Sequence, residues 1–139
     1  MTTPLYTASA ASTGDARNGH VQSTDGILDL DVRIPKEMGG AGGATNPEQL
    51  FAAGYAACFH SALKLVASRA QADTTDSEVV ADVSISDNGN GGFQLSVQLE
   101  VTIPNVDAAT AQQLAEQAHQ VCPYSNATRG NVDVVLTVN

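Results

Sequence analysis

The chain has 139 residues and a mass of 14.3 kDa, the size of one ordinary domain, so a single folded domain over residues 1–139 is expected and no second one. Hydrophobic residues make up 42% and charged residues 15%, which suits a filled core and excludes a disordered segment. Fifteen acidic against six basic residues give a net charge of −9 and a pI near 4.4; such a surface repels phosphate backbones, and nucleic acid is excluded as a partner.

The N-terminal stretch, Met1 to Ala10, has no basic residue followed by an apolar run. The longest uncharged apolar stretch, Leu50 to Phe59, is about half of the ~20 residues a membrane span needs. A soluble, cytoplasmic protein with no membrane partner is therefore expected. The two cysteines, Cys58 and Cys122, are too few for a secreted disulfide framework, and no CxxC pair exists for zinc or thioredoxin-type exchange. If they act, they act as single thiols brought together by folding.

In chain order, Leu5 to Thr24 is broken by Gly14 and Gly19 and reads as two short strands and a turn. From Leu28 to Ile34, Leu28, Leu30, Val32 and Ile34 alternate with Asp29, Asp31 and Arg33, which predicts a half-exposed strand completing a three-stranded meander. A glycine-rich stretch, Gly39 to Gly43, leads into Asn46-Pro47-Glu48-Gln49. Here Asn46 caps, Pro47 suits the first helical position, Glu48 sits at the positive end and Gln49 closes a capping box. The helix should run from Pro47 to about Ala70, roughly 36 Å at ~1.5 Å per residue. With no polar stripe between Leu50 and Phe59, it must be covered on most sides, as a central helix.

After a polar linker, Val79 to Ile85 alternates, and Asn88 to Gly92 forms a hairpin loop. Phe93 to Ile103 gives the cleanest strand, ended by Pro104. A second helix starts near Asp107 and stops at Pro123, a turn-rich run follows, and Asn131 to Val138 is a final strand. The order βββ-α-ββ-α-β predicts an α+β fold with antiparallel strands and helices on one face. One small sheet covers only one side of the first helix, so a two-fold partner is expected to supply the second layer in a homodimer.

A nucleophilic thiol must be ionised near neutral pH, which takes a helix N-terminus or a nearby cation. Cys58 lies eleven residues past Pro47, beyond the reach of the helix dipole, which fades within the first turn. Among six cations, Lys64 faces elsewhere on the helix, Arg69 is ~16 Å along the axis, Arg33 alternates onto a polar face and Lys36 adjoins the glycine-rich loop. Arg17 and Arg129 are left as the better candidates. Cys122 sits on the last turn of a helix, before a proline and a run that can move. Plain burial of either thiol in the core is the competing reading.

Residues Ala44 to Phe59 (ATNPEQLFAAGYAACF) and Val121 to Asn131 (VCPYSNATRGN) closely resemble the organic hydroperoxide resistance family of the OsmC-like superfamily. The resemblance extends to Leu5-Tyr6-Thr7-Ala8 and to Gly39–Gly43, and so spans nearly the whole chain. It implies an intertwined homodimer and a thiol-dependent peroxidase that reduces organic hydroperoxides to alcohols, with no cofactor and no metal. It also implies that Cys58 attacks the peroxide, that Cys122 resolves the sulfenic acid as a Cys58–Cys122 disulfide, that Arg17 and Glu48 activate Cys58, and that a dithiol, commonly on a lipoylated protein, resets the pair. Family members often read Thr-Gly-Gly-Arg where this chain has Thr13-Gly14-Asp15-Ala16-Arg17, one residue longer.

Glu48 and Cys58 are ten residues apart, ~15 Å along one straight helix, so Glu48 is poorly placed to serve the Cys58 of its own chain, and sites shared across a dimer are expected. Phe51, Tyr55 and Phe59 give the helix an aromatic flank suited to bulky or fatty-acyl hydroperoxides; core packing is the alternative for each. Other chemistries rank lower. A metal held by Cys58, His119 and Cys122 lacks a fourth ligand, a Cys-His hydrolase lacks a well-placed base, and no Gly-Lys-Ser/Thr follows the glycine-rich loop to make a phosphate cradle. The non-enzyme rival is an OsmC-like redox-sensing or lipid-binding dimer without turnover.

Overall fold

The computed structural model describes residues 2–139. The fold is α+β, with one antiparallel sheet, one mixed sheet and a long helix. The chain divides into two compact units, one ending at Leu50 and one running from Phe51 to Asn139.

In the first unit β1 (Ala10–Thr13), β2 (His20–Ser23) and β3 (Asp29–Asp31) form an antiparallel sheet in that order, the expected meander. The β1–β2 connection contains a single 3-10 turn, Ala16–Asn18. It closes on Gly19, where an added Cβ would lie 2.2 Å from the Thr13 carbonyl oxygen, so no side chain fits. β3 is shorter than the alternation of Leu28 to Ile34 predicts. Its continuation leaves the sheet: Val32 bridges in parallel to Thr45, and the Arg33 amide donates to the Thr45 carbonyl at 2.9 Å.

Polar ties dominate this unit. His20 is held between Asp31, at 2.8 Å from Nδ1, and Asp29 on Nε2, and these carboxylates raise its pKa. The Arg33 guanidinium donates to the carbonyls of Asn18, Gly19 and Val32. Among the described residues Val32, at 2% exposure, is the one buried apolar side chain here, while Leu28, Leu30 and Ile27 are exposed.

α1 (Pro47–Arg69) starts where the sequence places it. The Asn46 side chain accepts from the Gln49 amide at 2.8 Å. The Gln49 side chain instead takes the Thr45 hydroxyl at 2.9 Å, so the reciprocal half of the expected capping box is absent. By length and apolar composition α1 would suffice to cross a bilayer. Its residues Tyr55, Phe59, Ala62, Leu63, Val66 and Ala67 are nevertheless buried in the core of the second unit, one stripe at the spacing of a core-facing helix. Ala53, Ala57 and Leu65 on the other faces are exposed.

β4 (Glu78–Asp87) and β5 (Phe93–Thr102) pair antiparallel from Glu78↔Thr102 to Asp87↔Phe93. β5 is the middle strand and sends Val97, Leu99 and Val101 into the core. α2 (Ala108–Val121) is capped by Asp107, which accepts from the Thr110 amide at 2.7 Å, and buries Ala111, Leu114, Ala115 and Ala118.

Two expectations are corrected. β6 (Asp133–Val138) pairs parallel to β5, from Ser96↔Asp133 to Val101↔Val138, so this sheet is mixed. The helices between β5 and β6 carry the chain back to the starting end of β5, as a parallel crossover must. The run after Cys122 is also a helix, α3 (Pro123–Thr128). The proline that cannot extend α2 suits the first position of the next helix.

Candidate active site

The two cysteines come from sequence positions 64 residues apart, and their sulfurs are in hydrogen-bonding contact at 3.5 Å. Both are free thiols. Cys58 lies on α1 and is partly exposed, whereas Cys122 is fully buried. Cys122 ends the ladder of α2, its amide donating to Ala118, and opens that of α3, its carbonyl accepting from Asn126. Between the two ladders its own backbone is extended, at φ −60° and ψ 123°.

An open cleft of about 330 Å³ reaches Cys58, lined by Ser61, Ala62, Leu65, Val121 and Pro123 besides the thiol. Burial pushes the Cys58 thiol above its ordinary pKa, and the neighbouring Cys122 adds to the rise; the Tyr124 backbone amide acts in the opposite direction. That amide belongs to the first turn of α3, where a backbone N–H has no intrahelical partner. Sequence reasoning missed Tyr124 because it read this stretch as a turn; the Cys-Pro pair was the available signal.

The cations of the second unit are committed elsewhere or remote. Lys64 donates to the Thr74 carbonyl, and Arg129 donates to the His119 carbonyl at 2.6 Å and to Asn126 Oδ1 at 2.8 Å. Arg69 closes α1, three turns beyond Cys58. Arg129, one of the two activators left open by elimination, is thus tied to the α2–α3 junction.

In the first unit Arg17, on the 3-10 turn between β1 and β2, makes a two-pronged pair with Glu48, at 3.1 Å and 2.9 Å. Glu48 is 14% exposed and Arg17 39%. The guanidinium holds the Glu48 carboxyl below the usual carboxylate range, and Glu48 in turn raises Arg17. Both prongs of the fork are used, so the arginine plane is fixed.

The aromatic flank expected of α1 divides. Phe51 lines a second apolar cleft of about 480 Å³ with Leu95, Tyr124, Ala127, Thr128, Asn131 and Val132. Tyr55 and Phe59, both at 0% exposure, are core residues and line neither cleft. Tyr124 is the further aromatic of this cleft. It packs against Phe51 and Tyr55 with ring centroids 6.1 Å and 5.6 Å away, and its hydroxyl would lie 3.0 Å from a Cβ at Gly54.

Of the histidines, His60 bonds Ser77 and His119 bonds Ser125. Among the described residues no group of three or more His, Cys, Asp or Glu side chains is arranged to hold a metal.

Residues 40–137 match the family model described as OsmC-like protein. The organic hydroperoxide resistance protein of Xanthomonas axonopodis pv. citri is 52% identical over 136 residues, covering 96% of this chain and 94% of that one. The chain belongs to the organic hydroperoxide resistance family of OsmC-like proteins. Solved members agree in fold. The protein from Legionella pneumophila superposes with a TM-score of 0.94 at 51% identity, covering 99% of both chains. OhrB of Bacillus subtilis gives 0.88 at 47%, covering 98% of this chain and all of that one. The family likeness therefore extends through β1–β3 and Arg17, which precede the residues matched by the family model.

Proposed function

We propose that this protein is a cysteine-based peroxidase that reduces organic hydroperoxides, alkyl and fatty-acyl, to alcohols. The observation that carries the reading is the 3.5 Å contact of two free thiols, one beside an open apolar cleft and one buried behind it. Membership of a family whose relatives are named for organic hydroperoxide resistance supports it.

In the first step the Cys58 thiolate attacks the distal peroxide oxygen. An S–O bond forms, the O–O bond breaks, and the alkoxide takes a proton and leaves as the alcohol. Cys122 then attacks the sulfenic sulfur of Cys58. The S–S bond forms, the S–O bond breaks, and hydroxide leaves as water with the Cys122 proton. An external dithiol, such as a dihydrolipoyl protein, returns two electrons and two protons through a mixed disulfide. The apolar clefts at Cys58 and Phe51 suit the organic part of such a substrate.

A thiol whose pKa is raised by burial needs a cation to ionise it. We assign that role to Arg17, oriented by Glu48. The ~15 Å between Glu48 and Cys58 along α1 favours delivery of the pair to the cysteines of a partner copy in a homodimer. The exposed apolar residues Leu65 on α1, Leu30 in β3 and Leu28 just before it give such a partner something to cover. A reducing cytoplasm suits a pair that rests as thiols.

The decisive experiment measures consumption of tert-butyl hydroperoxide with dihydrolipoamide. Many turnovers by wild type and none by Cys58→Ser are expected. A single round of oxidation without turnover would replace the enzyme by a redox-sensing or lipid-binding dimer. Mixing Cys58→Ser and Glu48→Ala homodimers, each inactive, should restore activity on subunit exchange; no recovery would remove the shared site.

A further inference from the structure

Behind the two sulfurs runs a chain of hydrogen-bonded side chains with no part in the chemistry above. The Tyr55 hydroxyl bonds Ser125 Oγ at 2.8 Å and Thr128 Oγ1 at 3.2 Å, and Ser125 Oγ bonds His119 Nδ1 at 2.7 Å. Thr128 also donates to the Ser125 carbonyl at 3.2 Å. Tyr55 and Ser125 are fully buried, and Thr128 is nearly so.

The chain joins the two thiol-bearing segments one helical turn from each sulfur. Tyr55 lies three residues before Cys58 on α1, Ser125 three residues after Cys122 on α3, and His119 three residues before Cys122 on α2. The surrounding core is apolar, and a phenyl ring and a methyl group would fill nearly the same space. Packing therefore does not require these hydroxyls, whereas burying them demands that each find a partner. A helix of six residues has too few backbone bonds to hold its own position. α3 is held from its side chains, inside the protein by Tyr55 and His119 at Ser125 and Thr128, and at the surface by Arg129 and the packing of Tyr124.

What needs fixing is Cys122. A disulfide has an S–S length of about 2.05 Å, so a contact of 3.5 Å leaves a small final approach, and its rate depends on how closely the sulfur is confined. A Cys58 sulfenic acid that is not captured has a competing fate. It attacks a second hydroperoxide, forming a second S–O bond as the O–O bond breaks; the alkoxide takes a proton and leaves as a second alcohol, and the cysteine ends as sulfinic acid.

We propose that the Tyr55–Ser125–His119–Thr128 chain is a positioning device that sets the rate at which Cys122 captures the Cys58 sulfenic acid, and so the division between disulfide and sulfinic acid. The inference rests on the peroxidase reading.

Its test uses reduced full-length protein, wild type, Ser125→Ala and Tyr55→Phe, exposed to a graded excess of tert-butyl hydroperoxide, alkylated and weighed intact. One hydrogen bond is worth about 1 kcal/mol, so a roughly fivefold fall in the disulfide to sulfinic acid ratio is expected in each variant. The rate of the first thiol oxidation in Ser125→Ala should stay that of wild type, and Ser125→Thr, which keeps the hydroxyl, should restore the ratio. A purely structural role would lower the melting temperature and leave the ratio alone. Variants that divide as wild type does, in a wild type that turns over through its disulfide, overturn the inference alone. A wild type that forms no Cys58–Cys122 disulfide overturns the reading beneath it.

Discussion

The two units of this chain are stabilised by different physics. From Phe51 onward, α1, β5 and α2 contribute to one apolar cluster around Phe59, Leu63, Leu99 and Leu114, and the two thiols sit at its margin. Up to Leu50, one buried apolar side chain among the described residues, Val32, accompanies a set of polar ties through His20, Arg33 and the Arg17–Glu48 pair. The comparison teaches that the sulfurs are placed by a packed core, while the guanidinium is placed by directed hydrogen bonds and a glycine-closed turn. Packing tolerates little change of volume; directed bonds tolerate little change of geometry.

The largest expected effect strikes the core. Phe59→Ala should lower stability by about 3–5 kcal/mol, read from denaturant unfolding. Leu30→Ala, exposed in the first unit, should fall within about 0.5 kcal/mol in a monomer. A larger loss that shrinks on dilution would show a second chain covering Leu30, as in the proposed homodimer, and would sharpen the contrast between a unit packed by itself and one completed by its partner.

Next comes Arg17→Lys, which keeps the charge and loses the fork. With hydrogen bonds to charged groups worth about 1.5–3 kcal/mol when they hold a guanidinium on reacting atoms, kcat/KM should drop roughly 10- to 100-fold, while stability falls by about 1 kcal/mol or less because Arg17 is half-exposed. An equal drop from a conservative core change such as Leu63→Met would erase the distinction between the two kinds of placement.

A milder effect comes from acid. Arg17 lowers the folded-state pKa of Glu48, so this pair stabilises the fold above the ordinary glutamate pKa of about 4.3, and its contribution is lost as pH falls through the depressed value. His119 is lowered by burial and by Arg129. It binds a proton more readily unfolded, so acidification below about 6.5 weakens the second unit first. Thermal melts at stepped pH on wild type, Glu48→Gln and His119→Asn should separate the windows: the former flattens the lower one, the latter the upper. Coincident curves would refute both assignments.

The smallest effect is Gly54→Ala. Its methyl would meet the Tyr124 hydroxyl at 3.0 Å, and because Tyr124 is partly exposed the ring can yield, so stability should change by under about 1 kcal/mol. The displaced ring should instead alter KM for bulky hydroperoxides, measured against tert-butyl hydroperoxide.

Much of this architecture is legible locally. The alternation of β5 and the Asn46-Pro47 start of α1 are written in neighbouring residues, and the structure has both. The direction of β6 is not, because Asp133 to Val138 alternates identically whichever way its partner runs. Six residues beginning at Pro123 are too few for a helical period and rich in turn formers, which hid α3. Burial on α1 is also ambiguous in the sequence: Phe51, Tyr55 and Phe59 share one flank, yet Phe51 lines one of the two described clefts while Tyr55 and Phe59 are core residues. Both thiols stand out by residue type and resemblance, but their contact, and the partners of the Tyr55 hydroxyl 70 and 73 residues away, arise only when distant segments meet.

Cys122 belongs to two helices at once, the last residue of one ladder and the first of the next. Inserting a single amino acid into the last turn of α2, before Cys122, would turn the residue that carries the sulfur by about 100° around the α2 axis and swing the sulfur off its target. This junction therefore tolerates no change of length, unlike the exposed Asn88–Gly92 hairpin loop, where insertions would only lengthen a solvent-facing bend.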